Sequence, residues 1–99
     1  MAIQQGDVRL VTVTELKGKL LNHLVLADGE VTGHQHKITE GEADLYGDDE
    51  YGLFLDVKSK TATLTHQEHG TVVLPKGKYQ VKRVREYDHF AEEARQVQD

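Results

Sequence analysis

The chain has 99 residues, with 17 acidic and 12 basic side chains, a formal net charge of −5 and 37% hydrophobic residues. That length suits one small domain with a modest core. The acidic balance argues against a nucleic-acid binder, and no apolar run approaches the roughly 20 residues that span a bilayer. Because the chain has no cysteine and its start lacks a secretory signal pattern, we expect a cytoplasmic protein with no membrane partner.

The first third of the chain contains short hydrophobic runs separated by turn signals. Gly6 opens a predicted strand over residues 7–14, and residues 16–19 are typical of a turn. Residues 20–27 are apolar on both faces, and their periodicity fits either a strand or a short helix. Asp28 and Gly29 then end this run with a strong turn signal.

The middle of the chain continues the same pattern. We expect a strand over residues 31–39, a short strand over 43–46 inside an acidic stretch, and another over 51–57. A hairpin turn over residues 58–60 then leads into a strand over 61–66. Each strand is short, as in a small sandwich or barrel.

The last third predicts two more strands and a tail. Residues 71–74 form a strand that stops at a tight turn over 75–77, where the single proline lies. Residues 79–87 form the closing strand, and the tail from Asp88 is either a short helix or disordered. The sequence therefore predicts an all-β, single-domain sandwich or barrel over residues 1–88, with a tail over 89–99.

Two histidines one residue apart are the most informative motif. On an unbroken strand His34, His36, Ile38 and Glu40 share one face, because side chains alternate between the two faces. Imidazoles with a carboxylate in reach are ligands for first-row transition metals. Glu40 could equally orient a histidine or belong to a solvated acidic edge.

A second histidine pair lies near the end of the next long run. The threonines of residues 61–65 form a polar face, so Ala62, Leu64 and His66 should point inward. His69 joins His66 only if the chain turns between residues 67 and 70; otherwise both imidazoles cap backbone groups in a turn. The other two histidines, His23 and His89, have no partner by spacing. The candidate metal ligands are therefore His34, His36, Glu40, His66 and His69.

These motifs resemble those of cupins, which are double-stranded β-helix barrels of the jelly-roll type. Gly29, the histidine pair, Glu40 and Gly47 follow nearly the spacing of the first cupin motif, and Gly70 with the Pro-x-Gly at 75–77 is similar to the second. Gln80 stands where the third cupin histidine is expected. The resemblance covers roughly residues 29–84.

The resemblance implies a barrel that holds a metal through His34, His36 and Glu40. The missing third histidine leaves three alternatives: Gln80 binds as an oxygen donor, His66 or His69 replaces it, or the pocket has lost its metal. The inward direction of His66 favours replacement.

The first functional hypothesis is a metal-binding cupin-like protein, acting as a small-molecule enzyme or sensor, that holds Zn, Fe, Ni or Mn. No side chain is placed as a nucleophile, so any catalysis would fall to the metal. The alternative is a non-enzymatic β module for homo-oligomeric assembly, with histidines at a subunit interface. Its acidic 40–50 segment would meet a neighbour's basic residues, which are Lys76, Lys78, Lys82, Arg83 and Arg85. A third hypothesis is a metal-free barrel that binds a small molecule.

Overall fold

A computed structural model describes residues 2–28 and 33–84 of the chain. These residues form eight strands and no helix, so the all-β prediction is confirmed. The strands are β1 (Ala2–Gln5), β2 (Val8–Thr12), β3 (Lys19–Leu20), β4 (Val25–Asp28), β5 (Gln35–Glu40), β6 (Ala43–Asp48), β7 (Gly52–Thr65) and β8 (Val72–Arg83). The predicted tail, together with Gly29, Arg85 and His89, lies outside the described residues.

All eight strands belong to one antiparallel sheet. Its main path runs β1-β2-β8-β7-β5-β4, and β6 pairs with both β3 and β7. On one edge, β7 pairs first with β6 through Gly52 to Val57 and then with β5 through Thr63 to Thr65. The neighbour of β7 on this edge therefore changes from β6 to β5, so β5 lies beside the end of β7 that precedes His66.

A tight hairpin joins β1 to β2. Gln5 pairs with Val8, so Gly6 and Asp7 alone form the connection, and Gly6 has a φ of 58°. A glycine with positive φ in the first position is typical of two-residue hairpins, whose twist matches that of the strands. The sequence reading began its first strand after Gly6 and therefore missed β1.

The predicted hairpin turn over residues 58–60 is wrong, because β7 continues through it. The pairing of β7 with β8 shifts between Val57 and Thr61, as in a β-bulge. The backbone N–H groups of Lys58 and Ser59 donate to Glu42 O at 2.8 and 3.3 Å. These bonds satisfy the displaced backbone, so the polar Lys-Ser-Lys segment makes a bend within one strand.

The predicted turn over residues 75–77 is also wrong, because these residues lie inside β8. Pro75 pairs with Thr61 and Gly77 with Val57, directly opposite the irregular part of β7. A proline lacks a backbone donor and is tolerated in sheets at bulges and edges. The Tyr79 hydroxyl donates to Pro75 O at 2.6 Å and satisfies that carbonyl.

The apolar run over residues 20–27 is neither one strand nor a helix. It divides between the end of β3 and most of β4, with residues 21–24 between them. Leu21 N donates to Leu45 O, and Val25 N donates to Nδ1 of the exposed His23. The run is broken because its two ends pair with different strands, β6 and β5.

The core is one cluster of buried side chains from the strands of this sheet. Its members are apolar and almost free of solvent, and they come from six strands: Val8, Leu10, Leu26, Ala27, Ile38, Leu45, Leu55, Val57, Ala62, Leu64, Leu74 and Tyr79. The core members of β7 change from odd to even numbers across its bulge, from Leu55 and Val57 to Ala62 and Leu64. His66 is the next even-numbered residue after Ala62 and Leu64 and lies on the same side of the chain.

Replacing a core leucine tests this arrangement. We expect Leu74→Ala to lower the free energy of unfolding by about 2–5 kcal/mol, because it removes buried methyl groups and leaves a cavity. The control Val73→Ala changes the neighbouring residue, which is 58% exposed, and should cost under about 1 kcal/mol. Urea unfolding of both variants measures the difference, and equal losses would contradict the assigned faces.

Candidate metal centre

Four of the six histidines of the chain lie together at one end of the sheet. His34 precedes β5 and His36 lies in it, while His66 follows β7 and His69 lies in the next bend. The ring centroids are 4.3 Å apart for His36 and His66, 4.6 Å for His66 and His69, and 5.7 Å for His34 and His66. The rings of His36 and His69 are nearly parallel at 5.8 Å. The chain does turn after His66 and brings His69 back to the cluster.

His36 is the most buried member of this cluster, with an exposed fraction of 1%. Its Nδ1 lies 2.9 Å from Gln5 Oε1, and Gln5 Nε2 donates to Leu64 O at 3.0 Å and Gly70 O at 2.8 Å. Two carbonyl acceptors fix which end of the Gln5 amide carries nitrogen, so its oxygen must accept from His36. The hydrogen-bond network therefore assigns the proton of neutral His36 to Nδ1 and leaves Nε2 with a lone pair.

The Nε2 atom of His36 faces a carboxylate. Asp7 Oδ1 lies 3.4 Å from it, and the other oxygen of Asp7 accepts from Arg83 Nε at 3.0 Å and Nη2 at 2.7 Å. Asp7 occupies the hairpin turn between β1 and β2, and Arg83 ends β8. The first hairpin therefore contacts the histidine cluster through both Gln5 and Asp7.

The nitrogens of His34 and His66 have different surroundings. Glu68 N donates to His66 Nδ1 at 3.0 Å, which places the proton of neutral His66 on Nε2. His34 Nδ1 lies 3.5 Å from Glu68 Oε2 and is buried without a hydrogen-bond partner. A buried nitrogen in this state is costly unless another group satisfies it.

Gly6 makes room for His69. A Cβ built on Gly6 would lie 2.5 Å from His69 Nε2, closer than atoms approach in proteins. The positive φ of Gly6 disfavours other residues as well. The tight hairpin turn and the position of His69 thus depend on the same glycine.

The electrostatics of the cluster oppose positive charge on His36 and His66. Burial lowers the pKa of His36 and the neighbouring His66 lowers it further, although Asp7 acts in the opposite direction. Burial also lowers the pKa of His66, with added repulsion from His69 and His34. For Asp7, burial raises the pKa, but Arg83 outweighs it and holds that pKa below its ordinary value.

The structure does not bring Glu40 to the histidines. The pairing of β5 with β7 shifts between Ile38 and Glu40, so alternation fails at this point. Glu40 is exposed, and its carboxylate accepts a hydrogen bond from the Thr63 hydroxyl at 3.5 Å. Gln80, the alternative oxygen donor, lies in β8 and donates instead to Tyr51 O at 2.9 Å.

Gln5, Asp7 and Arg83 belong to the site but were missed from the sequence. The Gly-Asp pair between two alternating runs was the available signal, since such a dipeptide indicates a two-residue hairpin. That signal would have revealed β1. It would not have placed the hairpin beside residues from β5 and β8, because those contacts join distant parts of the chain.

The nitrogen and oxygen atoms of the cluster that could bind a metal do not converge on one point. Within residues 2–28 and 33–84, no group of three or more His, Asp or Glu side chains is arranged as a metal site. The rings are adjacent, and one nitrogen–oxygen pair, on His36 and Asp7, faces inward at short range. The arrangement is thus a histidine cluster with one oriented donor pair.

A separate cavity of about 400 Å³ lies beside β4, β5 and β6. Its floor includes the core residues Ile38 and Leu45, and its rim includes His23, Lys37 and Asp44. None of the clustered histidines lines it. The cavity and the cluster are therefore two different features of the fold.

The described residues form an all-β domain with a single antiparallel sheet and, at one end, a histidine cluster that includes the buried His36. The chain belongs to the family described as Domain of unknown function (DUF8820), which matches residues 4–84. No curated protein and no solved structure matches the chain. The resemblance to cupins therefore stays a prediction. Among the described residues, no helix is long and apolar enough to cross a membrane.

The lowered pKa values of His36 and His66 predict that acid destabilises the fold. Between the ordinary value of 6.5 and the lower folded value, the unfolded chain binds more protons than the folded one. Stability should be complete above about pH 6.5 and fall as the pH drops through the folded pKa values. Urea midpoints from about pH 8 to about pH 5 measure this.

A matched pair of variants assigns that slope to the cluster. His66→Gln should flatten the pH dependence, whereas His23→Gln changes an exposed histidine outside the cluster and should leave it as in the wild type. A wild-type stability that rises on acidification would contradict the electrostatic description. So would an equal slope in the two variants.

Proposed function

We propose that this protein binds a divalent transition metal through the histidine cluster of His34, His36, His66 and His69. The observation that supports the proposal most is a group of four imidazoles in which His66 contacts the other three rings at centroid distances of 4.3 to 5.7 Å and His36 is nearly inaccessible. Imidazole nitrogen suits Zn, Ni and Fe, the metals expected from the sequence. Mn, also expected, prefers oxygen ligands and fits this set less well.

The surroundings of His36 support the proposal independently. Metal-bound histidines usually donate their second ring N–H to an oxygen, which fixes the tautomer and orients the ring. The bond from His36 Nδ1 to Gln5 Oε1 has this form. The lowered pKa values of His36 and His66 also favour neutral rings near neutral pH, and only neutral imidazole binds a metal.

Metal binding requires movement of side chains in the bend after β7. His66 would release the hydrogen bond from Glu68 N in order to present a nitrogen, and His69 would turn about its side-chain bonds. Residues 67–70 are exposed, so these changes leave the buried sheet in place. His34 already has a buried nitrogen without a hydrogen-bond partner.

The assembly alternative receives less support from this geometry. Both ring nitrogens of His36 face groups of its own chain, so histidines at a subunit interface would have to be other members of the cluster. A homo-oligomer and a small-molecule ligand both stay predictions. The cavity beside β4, β5 and β6 is the place where we would look for the ligand.

Metal titration tests the proposal. Protein purified without an affinity tag and stripped with a chelator should bind about one Zn²⁺ per chain. The double variant His66→Ala/His69→Ala should lose this binding, because it removes two imidazoles that are not part of the apolar core. Calorimetric titration with Zn²⁺, repeated with Ni²⁺, Fe²⁺ and Mn²⁺, measures stoichiometry and affinity.

His23→Ala is the matched control, since it removes an exposed histidine outside the cluster and should retain binding. Failure of the wild-type protein to bind any of these ions would contradict the proposal, as would wild-type affinity in the double variant. Molecular mass in solution, measured with and without chelator, separates the assembly alternative. An oligomer that dissociates on chelation while the monomer stays folded favours metal at an interface.

A further inference from the structure

We infer that Asp7 supplies an oxygen ligand to this metal site, paired with Nε2 of His36. The inference rests on the proposed metal-binding function and adds a residue that the histidine pattern does not contain. The donor pair comes from two parts of the sheet, because Asp7 lies in the β1–β2 turn and His36 in β5.

The first argument concerns the lone pairs of the two facing atoms. With its proton on Nδ1, His36 presents an unshared electron pair on Nε2 towards Asp7 Oδ1. A carboxylate oxygen is likewise only an acceptor when ionised. Two acceptors that face each other repel unless a cation or a proton donor lies between them. A metal ion satisfies both atoms at once.

The second argument is the distance between them. Zinc lies about 2.0–2.1 Å from histidine nitrogen and about 2.0–2.2 Å from carboxylate oxygen, so two ligands of a tetrahedral ion are about 3.4 Å apart. The observed separation of Asp7 Oδ1 from His36 Nε2 is 3.4 Å. A charge-assisted hydrogen bond between the same groups would be shorter, at about 2.7–2.9 Å. The spacing therefore fits the edge of a zinc tetrahedron better than an ion pair.

The third argument is that the two oxygens of Asp7 have different partners. Arg83 contacts Oδ2 through both Nε and Nη2 and leaves Oδ1 directed at His36. An arginine in this geometry holds one oxygen of the carboxylate in place and favours its ionised form. On the opposite side, Gln5 fixes the ring of His36. Arg83 and Gln5 are thus positioning residues for the two ligands.

This mixed set of imidazole nitrogen and one carboxylate oxygen specifies the class of ion. It suits Zn²⁺ and the tetrahedral ions that replace it, such as Co²⁺, and it lacks the sulfur ligands that select Cu⁺. His66, whose ring centroid lies 4.3 Å from that of His36, and His69, at 5.8 Å, are the nearest candidates for the remaining positions. His69 Nε2 lies against Gly6, the residue next to Asp7.

Cobalt titration of Asp7→Asn tests the inference. Asparagine keeps the size of the side chain but removes the charged oxygen. The variant should bind Co²⁺ at least about tenfold more weakly than wild type and show an altered visible spectrum. Asp44→Asn is the matched control, because Asp44 forms an ion pair with Lys58 away from the cluster, and it should bind as wild type does. Urea unfolding of each variant confirms that it is folded.

Arg83→Gln separates the loss of a ligand from the loss of the ion pair. This variant retains both oxygens of Asp7 and should bind Co²⁺ more tightly than Asp7→Asn, with the spectrum of the wild type. Equal weakening in the two variants would overturn the inference, since Asp7 would then act only through Arg83. Wild-type affinity and spectrum in Asp7→Asn would also overturn it while leaving the histidine site intact. No binding by the wild type would instead overturn the proposed function.

Discussion

The hydrogen bonds of one buried amide hold the candidate site together. Gln5 joins three parts of the fold, because it accepts from His36 in β5 and donates to the carbonyls of Leu64 in β7 and Gly70 after it. Each of these groups would be costly to bury alone, and together they satisfy one another. They also fix the tautomer of His36, on which the chemistry of the cluster depends.

The hairpin that carries Gln5 has a second consequence for the site. Its two-residue turn places Asp7 beside His36. Because Gly6 has no side chain, the ring of His69 can lie against its backbone. Arg83 then ties this turn to the end of β8. The edge of the sheet, the closing strand and the histidine cluster are therefore mechanically connected. A change in the turn should disturb the site even where no histidine is altered.

Local patterns in the sequence predicted which histidines lie together, but they were less successful with the strand boundaries. The predicted alternation from Ala62 to His66 is correct because that half of β7 is regular. Ala62 and Leu64 are buried, and His66 follows them on the same side of the chain. Alternation failed at Glu40 because a register shift intervenes after Ile38. A bulge depends on the partner strand, so a count of residues along one strand cannot reveal it.

The sequence analysis underestimated the lengths of β7 and β8 and did not identify Asp7, for similar reasons. Lys58–Lys60 and Pro75–Gly77 carry turn residues, but each segment lies opposite the other across the β7–β8 pairing and stays extended. Asp7 and Arg83 are separated by 76 positions in the chain. Their contact follows from the pairing of β2 with β8, in which Val8 lies opposite Arg83, and no short window of the sequence contains that pairing.

Nitrogen NMR of the histidine rings tests the central claim most directly. Without metal, the account predicts that neutral His36 carries its proton on Nδ1. On addition of Zn²⁺, its Nε2 resonance should shift to that of a metal-bound nitrogen while Nδ1 stays protonated. A proton on Nε2 in the metal-free protein, or ring nitrogens that saturating Zn²⁺ leaves unchanged, would contradict it.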